Sequence, residues 1–347
     1  MAVIQAQNLS KVFRVTQKDP GLGGAVKALF RPGFVNKVAV DCITFSIEPG
    51  EMVGYIGVNG AGKSTTIKLL TGVLLPSSGE VRVLGRDPHR QRVANARDIG
   101  VVFGQRTQLW WDLPLIESLN LIGKIYELEP ARYQHLLDRF SDTLELKDLL
   151  KVPIRNMSLG QKMRSELAAT LIHEPKIVYL DEPTIGLDLI VKERIREFIK
   201  EQDYTRSTTV MLTTHDLGDI EELCHRVIII DGGKLIYDGP ITTIKDRFGK
   251  FRTITFETLH PVNNIIVPEG SDMMSTDVEL AQRKLIMRFD RTLTTASKIA
   301  SNLMSQLEVV DFSMAEPDLA SIVKQIYNGA LNENELIREG CDPIDPA

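Results

Sequence analysis

The amino-acid sequence predicts an α/β core with a largely parallel sheet, an inserted helical subdomain and a small C-terminal α+β domain. Three observations carry this prediction. Short β-rich runs alternate with helical patterns over the first two-thirds of the chain, which is typical of strands joined by crossover helices. The β-rich runs vanish between residues 105 and 162, and the composition shifts again near Phe248. The 347 residues allow roughly two domains of about 150 residues.

The elements of the predicted core are short apolar runs and the helical patterns that follow several of them. The predicted strands are Val38–Ile47, Met52–Ile56, Ile99–Phe103, Ile177–Leu180, Thr209–Thr213 and Arg226–Ile230, and the helices are Lys63–Leu70, Leu187–Lys200 and Leu217–Leu223. Ile116–Tyr126 and Tyr133–Leu144 carry apolar residues at helical spacing and predict the inserted subdomain. We therefore assign residues 1–247 to the core domain, with the helical subdomain at about 105–165.

The region after Phe248 has patterns of its own. Strands are predicted at Arg252–Glu257, Lys284–Phe289 and Leu307–Phe312, and helices at Thr295–Ser305 and Asp318–Tyr327. They make up a predicted α+β domain at 248–329, and residues 330–347 form an acidic tail that we expect to be mobile.

The charge distribution argues against nucleic acid as a partner. From Ala315 to Ala347 there are seven acidic and two basic residues, a balance of −5 that equals the net charge of the whole chain. The rest of the chain is therefore neutral overall and offers no broad basic surface.

Two further features limit the class of protein. We find no run of about 18 apolar residues, so no membrane-spanning helix is predicted. The wide spacing of the three cysteines, Cys42, Cys224 and Cys341, is typical of a reducing compartment and not of a disulfide framework.

The stretch Thr16–Asn36 does not fit a compact α/β start, because it holds four glycines with cations among apolar residues. Two interpretations stay open. It is an ordered surface insertion, or it contacts a partner or lipid headgroups through Val26, Leu29 and Phe30 and their flanking cations.

A phosphate-binding loop is the clearest motif. Gly57–Ser64 fits the pattern G-x-x-x-x-G-K-[ST], follows an apolar run and precedes a helical pattern, which is the context that the motif requires. Lys63 is expected to bridge the β- and γ-phosphates, Ser64 to offer its hydroxyl to Mg²⁺, and Thr65 to contact the α-phosphate. The predicted nucleotide-binding residues of the loop are Gly57, Asn59, Gly60, Ala61, Gly62, Lys63, Ser64 and Thr65.

An apolar strand that ends in two carboxylates follows the loop by about 120 residues. Asp181 is the expected partner of Mg²⁺, and Glu182 is positioned to polarise the attacking water. Together with the loop, this strand predicts a P-loop NTPase.

Further motifs in the same order resemble those of ATP-binding cassette (ABC) proteins over about residues 1–245. Met157–Gln161 resembles the family's signature, and Gln105 its Q-loop glutamine. Gly186–Asp188 resembles the D-loop, and Thr214–Asp216 the switch histidine motif. Phe13 stands where the family often has an aromatic residue that stacks on adenine. The insertion before the second strand, the sequence QRTQLWWDLP at 105–114 and the α+β tail domain are similar to ATP-binding subunits of ABC-2 type exporters.

The resemblance implies a mechanism and partners. ATP would lie between the phosphate loop of one subunit and the signature of another, in a head-to-tail dimer with a second copy or a related cassette. The residues facing the nucleotide in trans would be Ser158, Leu159, Gly160, Gln161 and Asp188. Glu182, His215 and Gln105 would be catalytic, and Ser64, Gln105 and Asp181 would hold Mg²⁺. Separate membrane permease subunits would supply the pathway, which implies a peripheral position on the cytoplasmic side of the cell membrane.

Several alternatives remain at this point. Leu159 departs from the family's usual glycine, so its effect on turnover is open. Arg164 is either a phosphate-side residue or a structural one. Trp110 and Trp111 either pack in the helical core or line a groove for a membrane subunit. A soluble cassette ATPase of repair, translation or cofactor assembly, and a non-catalytic ATP-binding module, are the competing functions.

Overall fold

The computed structural model describes residues 1–17, 33–103, 107–206, 208–249, 251–262, 265–276, 283–315 and 318–327. The chain divides into two compact units, one beginning at Met1 and running to Asp238 and the other beginning at Gly239. The predicted limits at 247 and 329 stay predictions. Most of the open stretch Thr16–Asn36, all of the acidic tail and Gln105 lie outside the described residues.

The first unit contains nine strands, seven α-helices and two short 3-10 helices within its described residues. The strands are β1 (Ile4–Gln17), β2 (Gly33–Ile47), β3 (Met52–Gly57), β4 (Ser78–Val83), β5 (Ile99–Phe103), β6 (Ile177–Asp181), β7 (Thr209–Thr213), β8 (Arg226–Asp231) and β9 (Lys234–Pro240). The helices are α1 (Lys63–Leu70), α2 (Arg92–Asp98), α3 (Leu115–Ile125), α4 (Pro130–Thr143), α5 (Leu159–Leu171), α6 (Leu189–Arg206) and α7 (Leu217–Leu223).

A six-stranded sheet in the order β5-β6-β7-β3-β8-β9 forms the centre of this unit. The pairings among β5, β6, β7, β3 and β8 are parallel, and every residue of β7 is buried, as expected for strands covered on both faces. Parallel strands bring their carboxyl ends to one edge of the sheet. Gly57, Asp181 and Thr213 end three adjacent strands, so this edge is where a ligand is expected.

A three-stranded antiparallel sheet, β2-β1-β4, lies in the same unit. β1 was not predicted, because its register shifts near Asn8 and Leu9 and Asn8 has a left-handed backbone with φ 49°, which breaks the polar–apolar alternation. Cys42 in β2 is disulfide-bonded. Cys224 is a buried free thiol.

The inserted helical subdomain is confirmed. α3 buries Leu115, Leu119 and Ile122, and α4 buries an apolar face that includes Phe140. α4 starts with Pro130 after Glu129, whose carboxylate accepts bonds from two first-turn amides. Among the described residues, none of the helices has the length and hydropathy that a bilayer-spanning helix requires.

The second unit is a small α+β domain, as predicted. Its strands are β10 (Phe251–Thr258), β11 (Ser271–Thr276), β12 (Lys284–Asp290) and β13 (Val309–Ala315), and its helices are α8 (Ile241–Phe248), α9 (Ala296–Gln306) and α10 (Leu319–Tyr327). The antiparallel sheet has the order β11-β12-β10-β13. Its core joins Phe256, Met287 and Phe289 of the sheet to Ile299 and Leu303 of α9. The predicted fold class, an α/β core with a helical insertion and an α+β domain, is thus confirmed.

Candidate functional site

The phosphate loop connects the end of β3 to the start of α1. Gly60 and Gly62 have φ of +86° and +111°, a region that side chains rarely allow. A Cβ on Gly62 would also lie 2.4 Å from the carbonyl oxygen of Ala39. The loop therefore requires glycine at position 62 for two separate reasons.

Lys63 folds back over this loop. Its Nζ donates to the carbonyl oxygens of Gly57 at 2.6 Å and Val58 at 3.3 Å, and the residue is only 7% exposed. Burial lowers its pKa, and the nearby carboxylates of Glu182 and Asp181 partly oppose that shift. Among the described residues no carboxylate forms an ion pair with Lys63, so its buried ammonium is available for phosphate oxygens.

A cavity of about 360 Å³ opens beside the loop. It is lined by Phe13, Val15, Lys37 and Ala39 of the β1–β2 ribbon, by Asn59, Gly60, Gly62, Lys63, Ser64 and Thr65 of the loop and first helical turn, and by Glu182. Phe13 pairs directly with Lys37 across the ribbon, so both side chains point to the same face. The predicted aromatic residue and the predicted loop thus share one cavity. Gly57 and Ala61 belong to the loop but do not line the cavity.

Sequence reasoning missed Val15, Lys37 and Ala39 as lining residues. No local motif marks them. The antiparallel pairing of β1 with β2 would have identified them, but β1 itself was not predicted.

Asp181 joins two hydroxyl groups at the carboxyl edge of the sheet. Its Oδ2 accepts from Ser64 Oγ at 3.0 Å, and its Oδ1 accepts from Thr213 Oγ1 at 2.6 Å. A hydroxyl and a carboxylate oxygen side by side suit Mg²⁺, which is usually held by one or two protein oxygens with phosphate and water. The described residues contain no cluster of three or more His, Cys, Asp or Glu side chains for a metal, and such a phosphate-bound ion does not need one.

Glu182 and His215 meet at the edge of the cavity. Glu182 has a left-handed backbone with φ 56°, and its N–H donates to the carbonyl oxygen of Thr213 at 2.9 Å. His215 Nδ1 lies 3.8 Å from Glu182 Oε2. A non-glycine residue at positive φ costs free energy, and here it turns the carboxylate of Glu182 into the cavity.

The signature residues form the start of α5 and do not line the cavity of their own chain. Ser158 caps the helix by accepting from Gln161 N at 3.3 Å, and Gln161 Oε1 accepts from Ser158 N at 2.9 Å. Leu159 is 49% exposed, and its Cδ2 lies 3.1 Å from the place that a Cβ on Gly186 would take.

The D-loop lies beside the signature in the same chain. A Cβ on Gly160 would lie 3.3 Å from Val191 Cγ1, and Asp188 Oδ1 accepts from Val191 N at 3.0 Å. The residues predicted to act in trans are therefore grouped on one surface.

Contacts and exposure bear on two alternatives that the sequence left open. Arg164 Nη1 donates to the carbonyl oxygen of Leu144 at 2.9 Å and to Glu145 Oε2 at 3.0 Å, which supports a structural role. Trp110 and Trp111 are 40% and 53% exposed, so the interpretation that they pack in the helical core is wrong. Lys162 Nζ lies 4.4 Å from the centre of the Trp111 ring.

Comparisons with known proteins identify the family of the chain. The family model described as ABC transporter matches residues 40–185. The Nod factor export ATP-binding protein I of Neorhizobium galegae is 34% identical over 227 residues, which cover 65% of this chain and 63% of the relative. The chain thus spans less than two-thirds of that relative's length.

Two more matches cover most of the compared protein. The ABC transporter ATP-binding protein NatA of Bacillus subtilis is 33% identical over 206 residues, 59% of this chain and 83% of NatA. A solved structure of an ATP-binding subunit of an ABC transporter has a TM-score of 0.60 and 26% identity, and covers 71% of this chain and 93% of that one. The resemblance inferred from the motifs is confirmed: the chain belongs to the ABC transporter family, among its ATP-binding proteins.

Proposed function

We propose that this chain is the ATP-hydrolysing subunit of a membrane ABC exporter. The observation that carries the proposal is the meeting of three groups at one edge of the sheet. They are the Lys63 ammonium, the bonded pair Ser64–Asp181 and the carboxylate of Glu182 beside His215. A cation for phosphate, oxygens for Mg²⁺ and a base for water are what phosphoanhydride hydrolysis requires.

ATP would bind with its phosphates on the loop. Backbone amides of the loop and the N-terminus of α1 face that position, and Lys63 adds the charge that meets the β- and γ-phosphates. Phe13 is available to stack on the adenine, because it lines the same cavity. Ser64 and Asp181 would hold Mg²⁺, with Gln105 as a further predicted ligand; the bound ion would neutralise charge on the phosphate oxygens.

Glu182 is the proposed general base. Its carboxylate lines the cavity and would take a proton from the attacking water. His215 is exposed enough to reach the γ-phosphate while staying beside Glu182. Its proposed role is to hold the base and the water in line.

The second half of the site comes from another subunit. Ser158, Gly160 and the N-terminus of α5 are exposed or half-exposed, so they can meet a nucleotide bound to a second copy or to a related cassette. Ser158 Oγ accepts in the helix cap, so its O–H can still donate, and a donor at a helix N-terminus suits the γ-phosphate. Two nucleotides would then hold a head-to-tail dimer together.

Transport is the use proposed for this hydrolysis. The relatives compared above carry transport names, one of them for Nod factor export, which favours an exporter over a soluble cassette ATPase. The exposed Trp110 and Trp111 suit an interface with membrane permease subunits, because aromatic side chains are enriched at such contacts. The chain would then lie on the cytoplasmic side of the membrane.

The test is hydrolysis of ATP by the purified chain in Mg²⁺, followed by co-purification. We expect Mg²⁺-dependent phosphate release that Glu182→Gln lowers at least a hundredfold, while the exposed control Glu193→Gln leaves it unchanged. The tagged Glu182→Gln chain should retain a polytopic membrane protein from its native membranes in ATP. Hydrolysis that is equal in the two variants would overturn the catalytic assignment. Hydrolysis without any membrane partner would favour the soluble cassette ATPase.

A further inference from the structure

A buried carboxylate that the proposed mechanism does not use lies on the signature helix. Glu166 of α5 is 5% exposed, and burial raises the pKa of its carboxyl group. Oε2 accepts from Thr107 Oγ1 at 2.7 Å, and Oε1 accepts from Gln108 N at 2.9 Å. Among the described residues no basic side chain pairs with it. Burying a carboxylate is costly unless donors satisfy it, and these two bonds, with a further contribution from the Gln108 side chain, offset that cost.

Glu166 is the middle member of a row along one face of α5. Lys162, Glu166 and Thr170 are spaced by four residues and therefore lie above one another on the helix. Lys162 Nζ lies over the Trp111 ring at 4.4 Å, and Thr170 Oγ1 accepts from Gln108 Nε2 at 2.6 Å. All three residues contact the chain between Thr107 and Trp111, which we name the 107–111 segment.

The 107–111 segment joins two regions to which function was assigned. It begins two residues after Gln105, the predicted Q-loop glutamine, and ends with the exposed tryptophans. Within the segment, Leu109 N donates to Thr107 Oγ1 at 3.0 Å. The hydroxyl of Thr107 thus donates to Glu166 and accepts from Leu109 at once, so it cannot be removed without leaving both groups unsatisfied.

The helix that carries this row begins at the signature. Ser158 and Glu166 are eight residues apart, about 12 Å along one continuous helix, and the capping box fixes the first turn. A movement of Ser158 therefore moves Glu166 with it.

We propose that Glu166 is a positioning residue that clamps the 107–111 segment to the signature helix. When the signature closes on ATP, Trp110 and Trp111 then move together with α5. This inference rests on the proposed function, because it assumes that the signature meets ATP. The coupling acts through Thr107 and Gln108, and Glu166 itself does not touch the nucleotide.

The experiment uses tryptophan fluorescence, because the chain has only two tryptophans and both end the 107–111 segment. In full-length Glu182→Gln protein, we measure acrylamide quenching without nucleotide and with saturating Mg-ATP, together with the Kd for ATP. The added variants are Thr107→Val and Glu166→Gln, with Thr107→Ser as the conservative change. Thr143→Val is the matched control, because among the described residues the hydroxyl of Thr143 bonds only a carbonyl of its own helix.

We expect ATP to change the quenching constant in the parent, in Thr107→Ser and in Thr143→Val. Thr107→Val and Glu166→Gln should reduce that change at least threefold while the Kd for ATP stays within twofold. The clamp would be overturned if Thr107→Val kept the full ATP-induced change in the quenching constant. It would also be overturned if Thr107→Ser lost that change to the same extent as Thr107→Val. A parent that binds ATP without any change in quenching overturns this inference alone, whereas a parent that does not bind ATP overturns the proposed function as well.

Discussion

Nδ1 of His215 lies 3.8 Å from Oε2 of Glu182, which is beyond hydrogen-bond distance. The two side chains are therefore neighbours without being bonded. Catalytic contacts commonly shorten when substrate arrives. A γ-phosphate between them would give His215 a partner and leave the carboxylate of Glu182 free to accept a proton from water.

Lys63→Ala should abolish measurable ATP binding. The ammonium is buried beside the phosphate loop, where each charge-assisted hydrogen bond contributes about 1.5–3 kcal/mol, so loss of two would raise Kd by at least about a hundredfold. Titration calorimetry checks this, with Lys68→Ala on the same helix as the control. An unchanged affinity in Lys63→Ala would remove the assignment of the phosphate loop.

Glu182→Gln should slow hydrolysis and produce an ATP-dependent dimer. Glutamine keeps the size of the side chain but cannot take a proton from water, so two nucleotides stay sandwiched between the subunits. Multi-angle light scattering with saturating Mg-ATP is expected to give twice the monomer mass of 38.8 kDa. A monomer at high protein concentration, in ATP and in its absence alike, would contradict the dimer.

His173 should make the protein less stable in mild acid. Its ring stacks on Tyr126 at 3.8 Å, and Nε2 lies 3.0 Å from the carbonyl oxygen of Ile99. Nδ1 is buried and has no hydrogen-bond partner among the described residues. Burial lowers the pKa of His173 below the ordinary value of 6.5, against smaller opposing effects of the Ile99 bond and of Asp98.

The sign of the pH dependence follows from that shift. As the pH falls through 6.5, the unfolded chain binds a proton at His173 and the folded chain does not, so the free energy of unfolding decreases. The slope contributed by one such group is up to about 1.4 kcal/mol per pH unit. In urea unfolding at pH 5–8, the free energy of unfolding should fall less steeply with decreasing pH for His173→Gln than for the parent. The exposed control His135→Gln should keep the parent's slope, and equal slopes in all three proteins would rule out His173 as the cause.

The features of the site that could be predicted from the sequence are those formed by residues contiguous in the chain. Gly57–Ser64, Asp181–Glu182 and His215 follow predicted strands directly, so their meeting at one edge of the sheet could be expected. Lys37 and Glu166 could not be found in this way. Lys37 is placed by the register of an irregular ribbon, and Glu166 by hydrogen bonds to a segment 58 and 59 residues away.

Leu159→Gly should change kcat less than about twofold. Leu159 occupies the first position of α5, and its side chain reaches toward Gly186 of the same chain, while Ser158 and Gly160 supply the groups expected at the phosphate. Because the side chain lies against the D-loop, we expect that Leu159 does not slow hydrolysis. Glycine at a helix start raises the entropy of the unfolded backbone, so stability should fall by up to about 1 kcal/mol.

Leu159→Ala separates these two effects, because alanine removes most of the side chain without the glycine backbone penalty. Steady-state phosphate release and thermal unfolding of the three proteins should give similar kcat values, with the lowest unfolding temperature for glycine. If leucine instead crowds the γ-phosphate in the dimer, both variants will hydrolyse ATP faster. A tenfold rise in kcat, equivalent to about 1.4 kcal/mol of barrier, would show that Leu159 turns from Gly186 toward the nucleotide when the subunits close.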